Sequence, residues 1–252
     1  MAKIKKLIVG NWKMYPERLE EAKKIVADVK RAMPKVRKTN VVLCPPFIYI
    51  PIFSGIKKGA LHLGAQTTNA KPAGSLTGGV SVSQIEQFNV DYVIVGHSER
   101  RKMGESDKEV NEKLKSVIDY GMTAILCVGE EGRDHNGDYL EIIRNQISNC
   151  LNGIEKKFLG QVVVAYEPVW AIGGKEAMTP RDIHEMTIYI KKVLRDIFGD
   201  PSSLVLVLYG GAVDKFNAES IVRDGDVSGL LIGRQSLASK DFVEIIKLVD
   251  KV

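Results

Sequence analysis

Several polar residues follow directly on short apolar runs, and Glu167 is the most informative of them. It follows the run Val162–Tyr166, which has the length and composition of a strand buried on both faces. A carboxylate at the end of such a strand is partly desolvated, and desolvation makes it a better proton acceptor. The position therefore predicts a general base. A helix cap or a surface ion pair is the alternative interpretation of Glu167.

A histidine occupies a similar position after another apolar run, Tyr92–Val95. This residue, His97, is followed by Ser98 and Glu99. We predict that Ser98 is the N-cap of a short helix, so that the His97 ring lies at the positive end of that helix. This environment favours a neutral imidazole, which donates a hydrogen bond without carrying charge. A packed or capping role is the alternative for a single histidine.

A lysine and an amide follow the first apolar run, Leu7–Gly10. Lys13 is a point cation beside the neutral side chain of Asn11, and such a pair suits an anionic group of a substrate. The alternative for Lys13 is a surface lysine whose stem packs on apolar neighbours.

Two glycine-containing stretches follow the last two apolar runs, at Tyr209–Ala212 and Ile232–Arg234. Glycine lets backbone N–H groups approach a phosphate closely, and barrels of parallel strands often bind phosphate at this place. A third stretch, Pro168–Trp170, is stiff and leads to Gly173 and Gly174. Stiff residues followed by glycines are typical of a loop that closes over a site. Each feature is weak alone, and together they predict a phosphate site.

The elements that must position these residues alternate along the whole chain. Eight apolar runs predict strands at residues 7–10, 41–43, 61–64, 92–95, 124–128, 162–166, 204–208 and 230–232. Amphipathic stretches between them predict helices at residues 19–33, 48–57, 107–120, 140–151, 181–198, 217–223 and 241–249. A doubly wound sheet would carry a GxGxxG sequence after its first strand, and this sequence is absent. The alternation therefore predicts a single α/β domain over residues 1–252, a (β/α)8 barrel of eight parallel strands ringed by helices.

The composition excludes several other classes of protein. The net charge of +5 comes from lysines and arginines mixed with acidic residues along the chain, so we expect no nucleic-acid partner. No apolar run has the roughly 18–20 residues of a membrane span, and the apolar stretch near the N-terminus is too short for a signal peptide. Three cysteines without a CxxC pair suit free thiols in a reducing compartment. We therefore expect a cytoplasmic protein that does not bind membranes.

Six motifs in order along the chain resemble one known family. They are GNWKM at Gly10–Met14, CPP at Cys44–Pro46, GHSERR at Gly96–Arg101, LCVGE at Leu126–Glu130, AYEPVWAIG at Ala165–Gly173 and YGG at Tyr209–Gly211. With these motifs the chain resembles the triosephosphate isomerases from end to end. The resemblance implies interconversion of dihydroxyacetone phosphate and D-glyceraldehyde 3-phosphate through an enediolate, a step of glycolysis and gluconeogenesis, without a cofactor or a metal.

The resemblance also implies a role for each candidate site residue. Glu167 would be the base, His97 the neutral electrophile and Lys13 the source of positive charge. Asn11 would orient the substrate, and Glu99 would support His97 and Lys13. The phosphate would bind to backbone N–H groups, which are those of Gly173, Ala212, Gly233 and Arg234.

The chain departs from the family pattern at the phosphate site. Ala212 replaces a serine and Arg234 replaces a second glycine, yet both keep a backbone N–H. The loop at residues 171–180 has the family length, with its Gly-Lys pair one place early. The catalytic side chains are all kept, so these departures concern loop closure and phosphate affinity.

The stretch Ala73–Gly79 resembles the long third loop that contacts a neighbouring subunit in this family. The resemblance implies a homodimer in which Thr77 reaches toward Asn11 and Glu99 of the other subunit. Gly79 replaces a glutamate that pairs with the arginine matching Arg100, so one interface ion pair is expected to be missing. A flexible surface loop is the alternative for this stretch.

Two other functions compete with an active isomerase. One is a barrel kept as a binding or scaffold protein whose changed loop no longer supports turnover. The other is a phosphate-binding barrel enzyme that acts on a larger substrate. The presence of Glu167, His97 and Lys13 together favours the isomerase.

Overall fold

The chain was analysed as a computed structural model that describes residues 6–56, 59–134, 136–171 and 178–252. Its strands are β1 Lys6–Asn11, β2 Thr39–Cys44, β3 Leu61–Ala65, β4 Val90–Val95, β5 Thr123–Val128, β6 Val162–Tyr166, β7 Leu206–Tyr209 and β8 Gly229–Ile232. Within the described ranges the α-helices are α1 Leu19–Ala32, α2 Ile50–Phe53, α3 Val82–Glu86, α4 Ser98–Lys102, α5 Asp107–Asp119, α6 Asp138–Cys150, α7 Pro180–Phe198, α8 Ala218–Asp224 and α9 Ser239–Lys251.

The eight strands form a closed parallel barrel in chain order. Each strand pairs with the next, and β8 pairs with β1 from Leu7↔Gly229 to Gly10↔Ile232. All strands run in the same direction, so their carboxyl ends meet at one rim. The predicted (β/α)8 barrel is confirmed.

The core has two layers because successive side chains on a strand point to opposite faces. One set fills the barrel interior, with Leu7, Val9, Val42, Ile94, Ile125, Val163 and Leu231 among its members. The alternate set, which includes Ile8, Val41 and Leu43, faces outward and packs against the helices. In α1 the buried side chains recur at Ala22, Ile25, Val26 and Val29, the spacing of one helix face. Because both strand faces are buried, the strands appear as continuous apolar runs in the sequence.

The predicted elements differ from the structure in three places. The predicted strand at 204–208 begins later, at Leu206, because Asp200–Leu204 forms a 3-10 turn with Pro201 at its start. Over its described residues, 48–56, the predicted helix at 48–57 is reduced to a 3-10 turn and the four residues of α2, and residue 57 lies outside the described ranges. Helix α3 was not predicted, although Ser81 and Gln84 form the capping box that starts it.

No helix within the described ranges is both long and apolar enough to cross a membrane.

Barrel closure leaves no space for a side chain at Gly229. An added Cβ there would lie 1.8 Å from the Leu7 carbonyl oxygen, and the φ of this glycine is +154°. We expect Gly229→Ala to destabilise the fold by about 3 kcal/mol or more, because β8 must move away from β1. The measurement is the free energy of unfolding in a denaturant titration.

Gly55→Ala is the matched control, since nothing lies within 4 Å of an added Cβ and its φ is not positive. We expect its stability to stay within about 0.5 kcal/mol of the parent. Equal unfolding midpoints for the two variants would contradict the role given to Gly229.

Candidate active site

A cavity of about 440 Å³ opens at the rim where the carboxyl ends of the strands meet. Seven of the predicted site residues line it, namely Asn11, Lys13, His97, Glu167, Ala212, Gly233 and Arg234. Glu99 does not line the cavity but contacts Lys13 at its edge. Gly173 lies outside the described residues, as does most of the loop that was predicted to close over the site.

The carboxylate of Glu167 is buried, accepts one backbone hydrogen bond and lies beside the His97 ring. The Ser98 backbone N–H donates to Glu167 Oε2 at 3.0 Å, and His97 Nε2 lies 3.2 Å from Oε1. The Glu167 backbone continues the β6 ladder, because its N–H donates to the Val128 carbonyl at 2.8 Å. The base candidate is therefore fixed in position by β4, β5 and β6 together.

Two glycines make room for Glu167. A Cβ on Gly129 would lie 1.8 Å from the Glu167 carbonyl oxygen, and a Cβ on Gly210 would lie 2.9 Å from Glu167 Cγ. Both neighbours of the base along the rim are thus limited to glycine by direct contact.

His97 itself, and not Ser98, is the N-cap of α4, which corrects the prediction. The Glu99 N–H donates to His97 Nδ1 at 3.2 Å, so the ring supplies the acceptor that a capping serine would have given. Since Nδ1 accepts a hydrogen bond, the ring proton is on Nε2, and the imidazole is neutral. The cap thus fixes the orientation of the ring, whose Nε2 lies 3.2 Å from Glu167 Oε1 at the wall of the cavity.

Lys13 adopts a backbone conformation that is rare for a residue with a side chain, with φ of +55°. The Gln66 side chain donates to the carbonyls of Lys13 and Cys44, both at 2.9 Å, and the Lys13 N–H donates to Asn11 Oδ1 at 3.1 Å. The Lys13 ammonium then reaches Glu99 Oε1 at 2.6 Å. Both side chains of this ion pair are partly exposed, so it adds little to the stability of the fold. Its effect is to fix the direction in which the Lys13 side chain points.

The opposite wall of the cavity presents unused backbone donors. The N–H groups of Ala212, Gly233 and Arg234 donate no hydrogen bond within the described part of the chain. An added Cβ on Gly233 would lie 3.6 Å from Lys13 Cε, so the lysine stem passes close to these donors. An anion on this wall would meet backbone N–H groups with a cation nearby.

Sequence reasoning missed the support behind the strand that carries the base. Glu130 is fully buried and accepts hydrogen bonds from Tyr166 Oη at 2.8 Å, Trp170 Nε1 at 3.0 Å and Arg133 Nε at 3.1 Å. Arg133 also donates to Tyr166 Oη at 3.0 Å. Glu130 lies in the LCVGE motif, but nothing in its spacing indicates partners so far along the chain. Gln66 gave no signal either.

Cys127 lies in the barrel interior beneath Glu167. Burial raises the pKa of its thiol well above the usual value, and the negative charge of Glu167 raises it further. The thiol therefore stays protonated and is a poor nucleophile. Among the described residues no group of three or more histidines, cysteines and carboxylates is placed to hold a metal ion.

The arrangement suits one type of chemistry. A buried carboxylate and a neutral N–H donor lie together, so the first can remove a proton beside a carbonyl while the second binds the oxygen. The unused N–H groups across the cavity suit a phosphate on the same small molecule.

The capped ring gives a prediction for the His97 tautomer. We expect a ¹⁵N NMR spectrum of the ring nitrogens at neutral pH to show the proton on Nε2, because Nδ1 accepts from Glu99 N–H. His62 is an internal control with the opposite tautomer, since its Nδ1 lies 2.9 Å from the Asp91 carboxylate. Spectra of His97→Gln and His62→Gln assign the signals. A proton on His97 Nδ1 would contradict the assignment.

Comparison with known proteins gives the same result along the whole chain. The triosephosphate isomerase family model matches residues 6–249. A triosephosphate isomerase of Idiomarina loihiensis is 36% identical over 242 residues, covering 95% of this chain and 96% of the relative. One from Natranaerobius thermophilus is 35% identical over 244 residues, covering 96% and 95%, and one from Clostridium tetani is 36% identical over 248 residues, covering 96% of each. The chain therefore belongs to the triosephosphate isomerase family.

Proposed function

We propose that this chain interconverts dihydroxyacetone phosphate and D-glyceraldehyde 3-phosphate, with Glu167 as the base and His97 as the electrophile. The contact that carries the proposal is the 3.2 Å approach of His97 Nε2 to Glu167 Oε1 at the wall of the cavity. Glu167 removes a proton from one substrate carbon and returns it to the next. His97 donates its Nε2–H to the substrate oxygens, where the enediolate charge develops. It also passes a proton between them, so that the carbonyl oxygen becomes a hydroxyl and the hydroxyl oxygen becomes the new carbonyl.

The neutral ring matters for this chemistry. An enediolate is a strong base, and a neutral imidazole N–H matches it better as a hydrogen-bond donor than an imidazolium, which would transfer its proton early. The cap on Nδ1 maintains this form, since a proton there would face the Glu99 N–H. Lys13 supplies the positive charge, and Asn11 holds the backbone of Lys13 in position.

The base is engaged with the protein before substrate arrives. Glu167 Oε2 accepts from Ser98 N–H, and Oε1 faces His97. A substrate oxygen must take the His97 donor, and the carboxylate must turn from Ser98 toward the carbon. The proposed catalytic step therefore includes an exchange of hydrogen bonds and not only binding.

The phosphate is proposed to bind on the wall formed after β7 and β8. The unused N–H groups of Ala212, Gly233 and Arg234 support this placement. Backbone donors do not depend on the side chain, so an alanine and an arginine in these positions keep the interaction. Gly173 remains a predicted fourth donor.

The two alternative functions, a scaffold protein and an enzyme with a larger substrate, require features that differ from those of an isomerase site. A scaffold protein has no need for a base, a capped neutral histidine and a cation around one cavity. A barrel enzyme with a larger substrate needs further groups to hold the additional atoms, and it would not turn over a triose phosphate. A coupled assay of glyceraldehyde 3-phosphate isomerisation separates the isomerase from both alternatives.

Shortening the base tests its role. Glu167→Asp withdraws the carboxylate by about one methylene, and a displacement near 1 Å lowers kcat by about 100-fold. We expect KM to change by less than about threefold, because Glu167 does not hold the phosphate. Glu131→Asp, on the exposed stretch after β5, is the control and should keep the parent kcat. Near-parent turnover in Glu167→Asp would remove Glu167 from the mechanism.

A homodimer is proposed from the apolar residues exposed on one side of the rim. Met14, Ile48, Leu76 and Met103 follow β1, β2, β3 and β4, which are consecutive in the barrel, and Met14 is 89% exposed. Large exposed apolar side chains on adjacent loops indicate a protein interface. The resemblance to the family implies a contact of Thr77 with the second subunit, and the exposure of the loop throughout residues 71–79 supports this.

Arg100 supports the same interface. Its Nε atom is buried without a hydrogen-bond partner in the described part of the chain, and the nearest carboxylate oxygen, Glu105 Oε1, lies 3.6 Å away. The Arg100 side chain is 42% exposed, so a second chain seated on this side would cover the outer N–H groups of the guanidinium and supply acceptors to them.

Leu76→Glu tests the dimer. We expect the variant to sediment with half the parent mass at micromolar concentration, because a charge in an apolar interface costs several kcal/mol unless it is paired. Ile188→Glu is the matched control, since Ile188 is an exposed apolar residue on α7 away from this side of the rim. An unchanged mass for Leu76→Glu, or a monomeric parent, would contradict the proposed interface.

The cysteines support a cytoplasmic location. Cys44, Cys127 and Cys150 are all buried and unpaired, and burial raises the pKa of the Cys150 thiol to about 12. Free thiols without disulfides are typical of a reducing compartment.

A further inference from the structure

Among the described residues that line the cavity two carry a cationic side chain, Lys13 and Arg234, and Lys13 is already paired. Lys13 lies 2.6 Å from Glu99 Oε1, so its charge is largely compensated within the protein. Arg234 lines the same cavity, is exposed, and has no ion pair or side-chain hydrogen bond to any residue that the structure describes. Arg234 therefore offers an uncommitted positive charge at the cavity mouth.

The described carboxylates that line the cavity form no ion pair with Arg234. Glu167 is held by Ser98 and His97 on the far side. Asp214 also lines the cavity, but its Oδ1 accepts the backbone N–H groups of Phe216 and Asn217 at 2.8 and 3.0 Å. A dianion entering the cavity would thus meet the negative charge of Glu167, while Lys13, the other cation among the described lining residues, is shared with Glu99.

The backbone of Arg234 is fixed although its side chain is unpaired. Gly233 precedes it as the N-cap of the 3-10 turn Arg234–Ser236, and Ser236 Oγ donates to the Gly233 carbonyl at 2.6 Å. The Leu237 N–H donates to the Arg234 carbonyl at 3.1 Å. The guanidinium thus extends from an ordered turn beside the unused N–H groups of the phosphate wall.

We propose that the Arg234 guanidinium binds the phosphate of the substrate directly, as a side-chain cation added to the backbone donors. This inference rests on the proposed function only for the identity of the phosphate ester. A guanidinium matches phosphate oxygens with two parallel N–H groups, and it stays charged throughout the working pH range. Arg234 is then a specificity residue, because it favours a dianionic phosphomonoester over neutral or singly charged molecules of the same size.

Direct binding of inorganic phosphate tests the proposal without any turnover. We expect Arg234→Gln to raise the Kd for inorganic phosphate by about tenfold in calorimetric titration, the loss typical of one charge-assisted hydrogen-bond pair. The phosphate Kd of Arg234→Lys should lie between those of the parent and of Arg234→Gln, because an ammonium keeps the positive charge but lacks the two parallel N–H groups of a guanidinium. The parent Kd should also rise more steeply with ionic strength than that of Arg234→Gln.

Lys240→Gln is the charge-matched control, since Lys240 is exposed on α9 and does not line the cavity. It should leave the phosphate Kd within about twofold of the parent. The kinetic counterpart is a KM for glyceraldehyde 3-phosphate raised by about tenfold in Arg234→Gln, with kcat lowered by less than about threefold.

The outcomes separate the two proposals. A phosphate Kd for Arg234→Gln within about twofold of the parent, or an equal change in Lys240→Gln, would overturn the role of Arg234. Absence of isomerase activity in the parent would overturn the proposed function and leave the phosphate titration interpretable on its own.

Discussion

Closure of the parallel ladder, with β8 hydrogen-bonded to β1, is the constraint on which the site depends. It brings the carboxyl ends of all eight strands to one rim, so residues far apart in sequence become neighbours. Lys13 and Glu99 are separated by 86 positions and Ser98 and Glu167 by 69, yet both pairs are hydrogen-bonded. An open sheet would leave its two edge strands apart. The base, the imidazole and the cation therefore share one cavity because the sheet has no edge.

Within this frame each functional group is held by another. Glu99 supplies its backbone N–H to His97 and its carboxylate to Lys13, so one residue sets both the tautomer of the ring and the direction of the cation. The buried Glu130 joins Tyr166, the last residue of β6, to Trp170 beyond Glu167. Contacts within the protein thus hold the side chains of Glu167, Lys13 and Tyr166 in place before substrate binds, and this limits the reorganisation that the proposed reaction requires.

The strands and the residues at their ends were predictable because the signals are local. A strand buried on both faces must be apolar throughout, and a polar residue directly after it lies on the rim. The supporting contacts were not predictable, because they join distant segments: Gln66 reaches Lys13 through a fold that must already exist. The cap of α4 was assigned to Ser98 because serine is a common cap, whereas the ring of His97 takes that role. Helix α2 is short because Ile50–Phe53 contains a proline near its start, and local apolar spacing does not reveal the end.

Gly129 and Gly210, on either side of Glu167, limit the substitutions that this protein can accept in evolution. A Cβ on Gly129 would lie 1.8 Å from the Glu167 carbonyl oxygen and one on Gly210 would lie 2.9 Å from Glu167 Cγ, so a side chain at either position displaces Glu167. These two positions therefore do not tolerate a stepwise increase in side-chain size. Ala212 and Arg234 line the opposite wall, their backbone N–H groups donate no hydrogen bond within the described part of the chain, and the fold does not bury their side chains. Substitutions on that wall can therefore change substrate preference, whereas the packing around Glu167 permits few substitutions.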